Sequence, residues 1–226
     1  MRKILVTLIL SLFTIGTASA EIGVNVGISG QLGLFAASAT EKDTGSHGTT
    51  TGDDETNSDS DFIGLGYASI FIEKELGPLT IGVDYVPDAL ETETAEQTTT
   101  DKTTSATAAS VTNKVQVDFS DIRTLYARIN LLSGSYFKIG HVSGTIETNE
   151  TMGTSSQSGS TVGDQDLDGT AYGFGYIWTA ENGFQIRAEG MYGDYDTFSV
   201  VDTSGDTYTV NKMESLTASL KVAKAF

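Results

Sequence analysis

The chain has 226 residues, with 30 acidic against 13 basic side chains and a formal net charge of -17. That field repels nucleic-acid phosphates and excludes a DNA or RNA partner. Cysteine is absent, which excludes a lipid-anchored cysteine and a disulfide framework, so stability outside the cytoplasm has to be non-covalent.

The first element is a leader. Arg2 and Lys3 precede an apolar run from Ile4 to about Ile15, and Ala18-Ser19-Ala20 supplies small residues for cleavage. The run is too short for the roughly 20 residues that span a bilayer, so residues 1–20 are expected to be a secretory signal peptide and residues 21–226 one domain. Without Arg2 and Lys3 the remainder is more acidic still. No later segment is apolar for long enough to be a membrane helix; passage through a bilayer therefore falls to a closed β-barrel.

Period-two alternation then recurs along the chain. Ile22, Val24, Val26, Ile28, Leu32 and Leu34 share one face of a first strand, with Gly23, Asn25, Gly27, Ser29, Gln31 and Gly33 opposite. A second strand is expected from about Asp61 to Glu75, a tight turn at Leu76-Gly77-Pro78, and a third strand from Leu79 to Val86. The fourth, Lys114 to Leu132, sets Leu125, Ala127, Ile129 and Leu131 against Thr124, Tyr126, Arg128 and Asn130. A fifth follows from Tyr136 to about Glu147. The sixth, Asp168 to Ala180, places Tyr172, Phe174, Tyr176 and Trp178 on one face, and Glu181-Asn182-Gly183 makes a turn. The seventh sets Phe184, Ile186, Ala188 and Tyr192 against Gln185, Arg187 and Glu189, and the eighth runs from about Thr207 to Phe226.

Long and short connections alternate. The long ones, 37–60, 87–113, 148–167 and 196–206, hold most of the acid among threonine, serine and glycine, and are expected to be solvated surface loops. This layout predicts an all-β fold: a transmembrane up-and-down antiparallel barrel of eight strands. Two aromatic girdles are expected, Phe71, Trp178, Phe184 and Phe226 toward the short turns and Phe62, Tyr85, Tyr172 and Tyr192 toward the loops. Two stretches break the phase: Ile70-Phe71-Ile72 is apolar on both faces, and Asp121 and Arg123 fall among outward positions. A bulge, or a place above the hydrocarbon, would account for the latter.

The pattern resembles the small eight-stranded outer-membrane barrels of Gram-negative bacteria, of OmpA and OmpX type. Its most specific element is the final strand, where Leu216, Ala218, Leu220 and Val222 alternate before Phe226. In that family such an ending is read by the barrel-assembly machinery; Lys224 departs from the pattern. The resemblance implies an outer-membrane location with long loops outside and both termini periplasmic. It implies lipid and lipopolysaccharide as partners, a monomer, and no appended peptidoglycan-binding domain. Closure of the last strand on the first would remove the sheet edge and hold the terminus.

An eight-stranded barrel is about filled by its own side chains. Asp84, Arg128, Arg187, Glu189 and Lys221 are expected inside, paired as a structural plug, with inward glycines leaving room for water and hence for a small ion conductance. Asp164, Asp166 and Asp168 imitate the first half of a calcium loop, but Gly175 stands where its glutamate should be. His141 and Ser143 resemble the His-x-Ser pair of outer-membrane lipid A deacylases, with Glu147 or Glu150 as possible third members. His47 lies in a long loop with no nucleophile at fixed distance. No cofactor is expected. The resulting expectation is a non-enzymatic barrel with a structural or surface role, against a porin-like channel, an adhesin or receptor, and a deacylase-like hydrolase.

Overall fold

The computed structural model describes residues 23–43, 55–101, 109–151, 162–202 and 206–226. The expected leader, His47 and parts of the long connections lie outside them. Every described regular element except one short 3-10 turn is a strand. The strands are β1 (Val24–Asp43), β2 (Glu55–Leu76), β3 (Leu79–Tyr85), β4 (Leu90–Glu91), β5 (Ala95–Asp101), β6 (Ala109–Asn130), β7 (Ser135–Thr151), β8 (Gln165–Thr179), β9 (Phe184–Tyr195), β10 (Phe198–Val201) and β11 (Thr207–Ala225).

Eight of them form an antiparallel ring in the order β1-β2-β3-β6-β7-β8-β9-β11, closed by pairing of β1 with β11 from Asn25↔Ala225 to Lys42↔Thr207. β4 and β5 continue on the edge of β6, and β10 on the edge of β11. The chain is thus an all-β up-and-down barrel of eight strands. Closure holds the last residue directly: Val24 N–H donates to the Phe226 carbonyl at 3.2 Å, and Phe226 N–H donates to the Val24 carbonyl at 2.8 Å.

The short turns sit where the backbone can reverse. Gly77 and Gly183 adopt φ of 70° and 79°, which glycine reaches at little cost. Between β6 and β7 the turn Leu132–Gly134 puts Ser133 at φ 61°. At the opposite end the ladders outrun the strands expected from sequence, reaching Asp43↔Glu55 between β1 and β2 and Lys114↔Thr151 between β6 and β7. The serine- and threonine-rich composition that suggested loops there also suits strands, because β-branched threonine favours extended backbone and hydroxyls pair across the ladder. Thr98 and Thr112 do so at 2.9 Å, Ser199 and Thr209 at 2.9 Å, and Thr40 and Ser58 at 3.3 Å.

The apolar faces point outward. Leu125 is 62% exposed and Leu220 68%, with Ile129, Val222, Phe174 and Trp178 also exposed, while the alternate positions of the same strands are buried. A surface of this kind is stable against lipid and unstable against water. No described helix could cross a membrane, and the strands themselves carry the apolar belt.

Both doubtful stretches resolve. On β2, Ile70 and Ile72 face out and Phe71 faces in, 3% exposed, so Phe71 is a lumen residue and not part of an outer aromatic girdle. On β6, the ladder with β7 slips between Ser120 and Arg123, with Asp121 at φ 51°. This is a bulge: Ile122 and Tyr126 point inward below it, and Phe119 and Val117 point inward above it, so the phase switches from even to odd. Asp121 faces out near the Tyr85 hydroxyl, 3.5 Å away.

Candidate functional site

The lumen has two halves of opposite chemistry. Toward the short turns, inward positions of β2, β3, β6, β7, β9 and β11 bring together three carboxylates, Glu73, Asp84 and Glu189, and four cations, Arg128, Lys138, Arg187 and Lys221, all buried. A charge so placed costs several kcal/mol unless it is paired and hydrogen-bonded, and each one is.

Glu73 is the hub of one cluster. Arg187 grips it with two parallel bonds of 2.7 and 2.8 Å, Arg128 donates at 3.2 Å, the Tyr126 hydroxyl at 2.8 Å and the Asn25 amide at 3.3 Å. The guanidinium groups find further acceptors, Arg187 in the Gln185 side-chain oxygen at 2.6 Å and Arg128 in those of Asn130 at 2.6 Å and Thr80 at 3.2 Å, while Arg128 Nε has no hydrogen-bond partner among the described residues. Glu189 is the hub of the second cluster, accepting from Lys221 at 2.9 Å, Lys138 at 3.2 Å and the Tyr136 hydroxyl at 2.8 Å. Lys221 also reaches Asp84 at 3.2 Å.

Aromatic rings tie the clusters together. Lys138 lies 3.9 Å from the Tyr126 ring centroid, Arg128 5.1 Å from that of Tyr136, and Arg187 and Lys221 lie 5.1 and 5.4 Å from that of Phe71. Inward glycines make the space for these rings. A Cβ on Gly82 would stand 2.7 Å from the Tyr126 ring and 2.8 Å from Glu73, and one on Gly27 or Gly175 would collide with Phe71 or Tyr136.

The five charged residues expected inside, Asp84, Arg128, Arg187, Glu189 and Lys221, all occupy this layer. Glu73 and Lys138 were not among them. Lys138 was legible, because it alternates with the outward Phe137 and Ile139. Glu73 was hidden by the ambiguous phase of Ile70-Phe71-Ile72 just before it.

Above the plug the lumen changes character. Ile146, Leu167 and Met213 form a buried apolar cluster, with Val117, Phe119, Ile122, Tyr195, Phe198 and Val210 packed against it. These side chains do not meet in the middle. They line a cavity of about 790 Å³ whose floor is Asp84, Lys138, Thr124 and Gln31. The expectation of an interior filled by its own side chains therefore holds for the lower half only. An apolar lumen at this level was not expected, although Val117, Phe119, Val142, Ile146 and Leu167 stand in the sequence at alternating positions.

The other sequence candidates lie elsewhere. Asp166 and Asp168 alternate along the outer face of β8, and Asp164, just before it, accepts the Thr148 N–H at 3.3 Å. An extended strand spreads such carboxylates apart, and among the described residues no three acidic or histidine side chains converge on a metal-sized site. His141 and Ser143 share the outer face of β7. There His141 Nε2 meets Asp168 Oδ1 at 3.4 Å, and Asp168 is the ladder partner of Ser143. Glu147 takes the Ser120 hydroxyl and Glu150 the Val162 N–H, so neither serves His141. Leu216, Ala218, Leu220 and Val222 face outward on β11.

No protein-family model matches the chain, and no curated protein matches it. Solved structures do. The attachment invasion locus protein Ail of Yersinia pestis, solved with the heparin analogue sucrose octasulfate, is 13% identical with a TM-score of 0.39, covering 88% of this chain and 99% of that one. The outer-membrane protease OmpT of Escherichia coli is 10% identical with a TM-score of 0.41, covering 94% and 100%. The outer-membrane protein AlkL, solved in lipid bilayers, is 12% identical with a TM-score of 0.42, covering 93% of each chain. Identities this low assign no role to any residue.

Proposed function

We propose that the protein is a non-enzymatic integral outer-membrane barrel of a Gram-negative cell, closed to ions along its axis, with a structural or surface role. The observation that carries this reading is the paired charge layer across the lower lumen inside an apolar outer belt. Each charge there is satisfied by a partner from another strand, so an ion crossing the layer would have to break pairs that hold the wall together. This arrangement opposes the porin-like alternative.

On this reading the leader is removed during export. The short turns and both termini are periplasmic, and the acidic long connections face the medium as a hydrated coat beside lipopolysaccharide. The protein acts as a monomer without a cofactor. The outward Leu216, Ala218, Leu220 and Val222 with Phe226 serve as the signal to the assembly machinery. Planar-bilayer recording of the purified protein, after membrane fractionation and heat-dependent gel mobility have established location and closure, tests the reading. Silence is expected, and steady single-channel steps in the unaltered protein would overturn it.

A second reading has one observation in its favour. His141, Asp168 and Ser143 lie together on the outer face, where a lipid acyl ester would lie. A hydrolase there would lose all release of fatty acid from lipid A in Ser143→Ala and in His141→Ala. A wild-type protein without such release removes this reading.

A further inference from the structure

The cavity above the plug reaches the outer face of the wall beside β2, where its lining includes Phe62 and Gly64. β2 is paired with β3 only from Leu76↔Leu79 to Ile70↔Tyr85. Beyond Ile70, β2 continues to Glu55 with β1 as its sole ladder partner among the described residues. The chain that should cover its other edge stays on β6 instead: Val86 N–H donates to the Ile122 carbonyl at 2.9 Å, Leu90 pairs with Phe119, and Thr92 N–H donates to the Val117 carbonyl at 3.0 Å. Pro87 interrupts the strand because it has no N–H to give.

The result is a seam between β2 and the β3–β4 connection with no ladder bonds across it. Local hydrogen bonds mark the free edge, since the N–H groups of Ser60 and Phe62 donate to the carboxylates of Asp59 and Asp61, each at 2.8 Å.

The seam lies at the height of the lipid belt. Gly66 and Gly64 are the ladder partners of Leu32 and Leu34, which are 72% and 56% exposed on the outer face of β1. Between Phe62 and Ile70 the outward residues along the free edge of β2 are Gly64, Gly66 and Ala68, all of them small. The cavity reaches this edge, for its lining includes the outward-facing Ala36, Phe62 and Gly64 as well as the inward Ile63, Tyr67 and Val86.

Unpaired backbone is tolerated at membrane depth where it borders a cavity and not where it faces lipid alone. An uninterrupted wall would have been cheaper, so the seam marks an opening.

We propose that the upper lumen binds an uncharged, apolar small molecule, which passes between the cavity and the surrounding lipid through the seam beside Gly64, Gly66 and Ala68. The site's size is that of pockets for small molecules, typically about 300–1,000 Å³. Between a polar floor and an acidic upper part its walls are mostly hydrocarbon and aromatic, and such an apolar surface is poorly hydrated and takes up apolar guests. The charge pattern selects against anions. Asp61 and Glu93 line the upper part, and at the floor the Lys138 ammonium is already held by Glu189 while Asp84 is held by Lys221. A carboxylate on the guest would find repulsion at the rim and no free cation at the floor. The proposal rests on the membrane-barrel reading and is independent of the closed plug.

A photoactivatable, uncharged aryl diazirine carried in dioleoylphosphatidylcholine vesicles tests it. The protein is mixed with probe-loaded vesicles, photolysed after increasing delays and mapped by peptide mass spectrometry. Labelling is expected on the inward Ile146, Leu167 and Met213, abolished by excess decane and unaffected by decanoate, with the outward Leu125 and Leu220 labelled throughout. Gly64→Phe with Gly66→Phe is the closing variant. There is room for both, because a Cβ at Gly64 meets only Leu34 at 3.6 Å and one at Gly66 meets Leu32 at 3.4 Å. It should slow inward labelling by about tenfold or more, as gating of access does, and leave outward labelling unchanged.

Unchanged inward rates in a variant that retains heat-dependent mobility would overturn the seam. Inward residues that never label, or equal protection by decanoate, would overturn the site or its ligand class. Absence of label on Leu125 and Leu220 would instead overturn the membrane barrel itself.

Discussion

Arg187 and Glu73 lie 114 residues apart in sequence and meet across the lumen in a bidentate pair of 2.7 and 2.8 Å. Glu73 is also the acceptor for Arg128, so a single carboxylate holds two guanidinium groups out of water. Glu73→Ala leaves both cations buried with too few acceptors. A loss of about 3–5 kcal/mol is expected, read from urea unfolding of the protein refolded in detergent or vesicles. A cost near zero would mean that water fills the layer and that it is not a dry plug.

Gly82 and Gly190 make a controlled pair. A methyl on Gly82 meets the Tyr126 ring at 2.7 Å, whereas one on Gly190 meets nothing within 4 Å. Gly82→Ala should cost about 1–3 kcal/mol through overpacking. Gly190→Ala should be neutral or stabilising by about 0.4–1 kcal/mol, because it restricts the unfolded chain. The same denaturation assay separates them.

Leu220 is 68% exposed on the outer face of β11, opposite Gly30 and Ala188 in neighbouring strands. Leu220→Arg is expected to destabilise the protein in vesicles by about 2–4 kcal/mol, the cost of a cation near the bilayer midplane. Ser199→Arg, on the extension beyond the apolar belt, should change stability little. Equal effects at the two sites would contradict an outer face solvated by lipid.

Tyr208 lies on the part of β11 beyond the belt and pairs with Glu41 of β1. Burial raises its phenol pKa well above the ordinary 10.0, and the hydrogen bond to the Glu41 carboxylate, with that charge, raises it further. The folded value exceeds the unfolded one, so the neutral phenol's contribution to stability is complete below about pH 10 and is lost as pH climbs through the raised value. Absorbance titration of tyrosinate in wild type and Glu41→Gln should show one phenol titrating earlier in the variant. Superimposable curves would remove the Glu41 contribution.

Asp121 at φ 51° occupies a backbone region that costs a non-glycine residue about 1–3 kcal/mol. Asp121→Gly should therefore be neutral or stabilising in urea unfolding. Asp121→Val should be destabilising, and a reversed order would mean that this bulge is not under backbone strain.

The strands, their order and their outward faces were legible in the sequence because a period of two survives without any knowledge of partners. Leu125 and Ile129, or Leu216 through Val222, declare one greasy face whichever strand lies beside them. Lumen charges such as Arg187 and Glu189 followed from the same parity. The phase failed only where a run was apolar on both faces, at Ile70-Phe71-Ile72, and where a bulge broke the count, at Asp121. Glu73, the hub of the plug, was lost with the first of these.

By itself, then, the sequence determined that a closed antiparallel wall forms and which side of it lipid touches, since those depend on alternation within each strand. Only the tertiary structure decided which charges pair across the hollow, that Phe71 belongs inside, and that the upper half is an apolar cavity. It alone left one edge of β2 beyond Ile70 without a ladder partner among the described residues. These depend on how strands from distant parts of the chain are staggered and how their side chains fill a shared volume, and local periodicity carries no information about either.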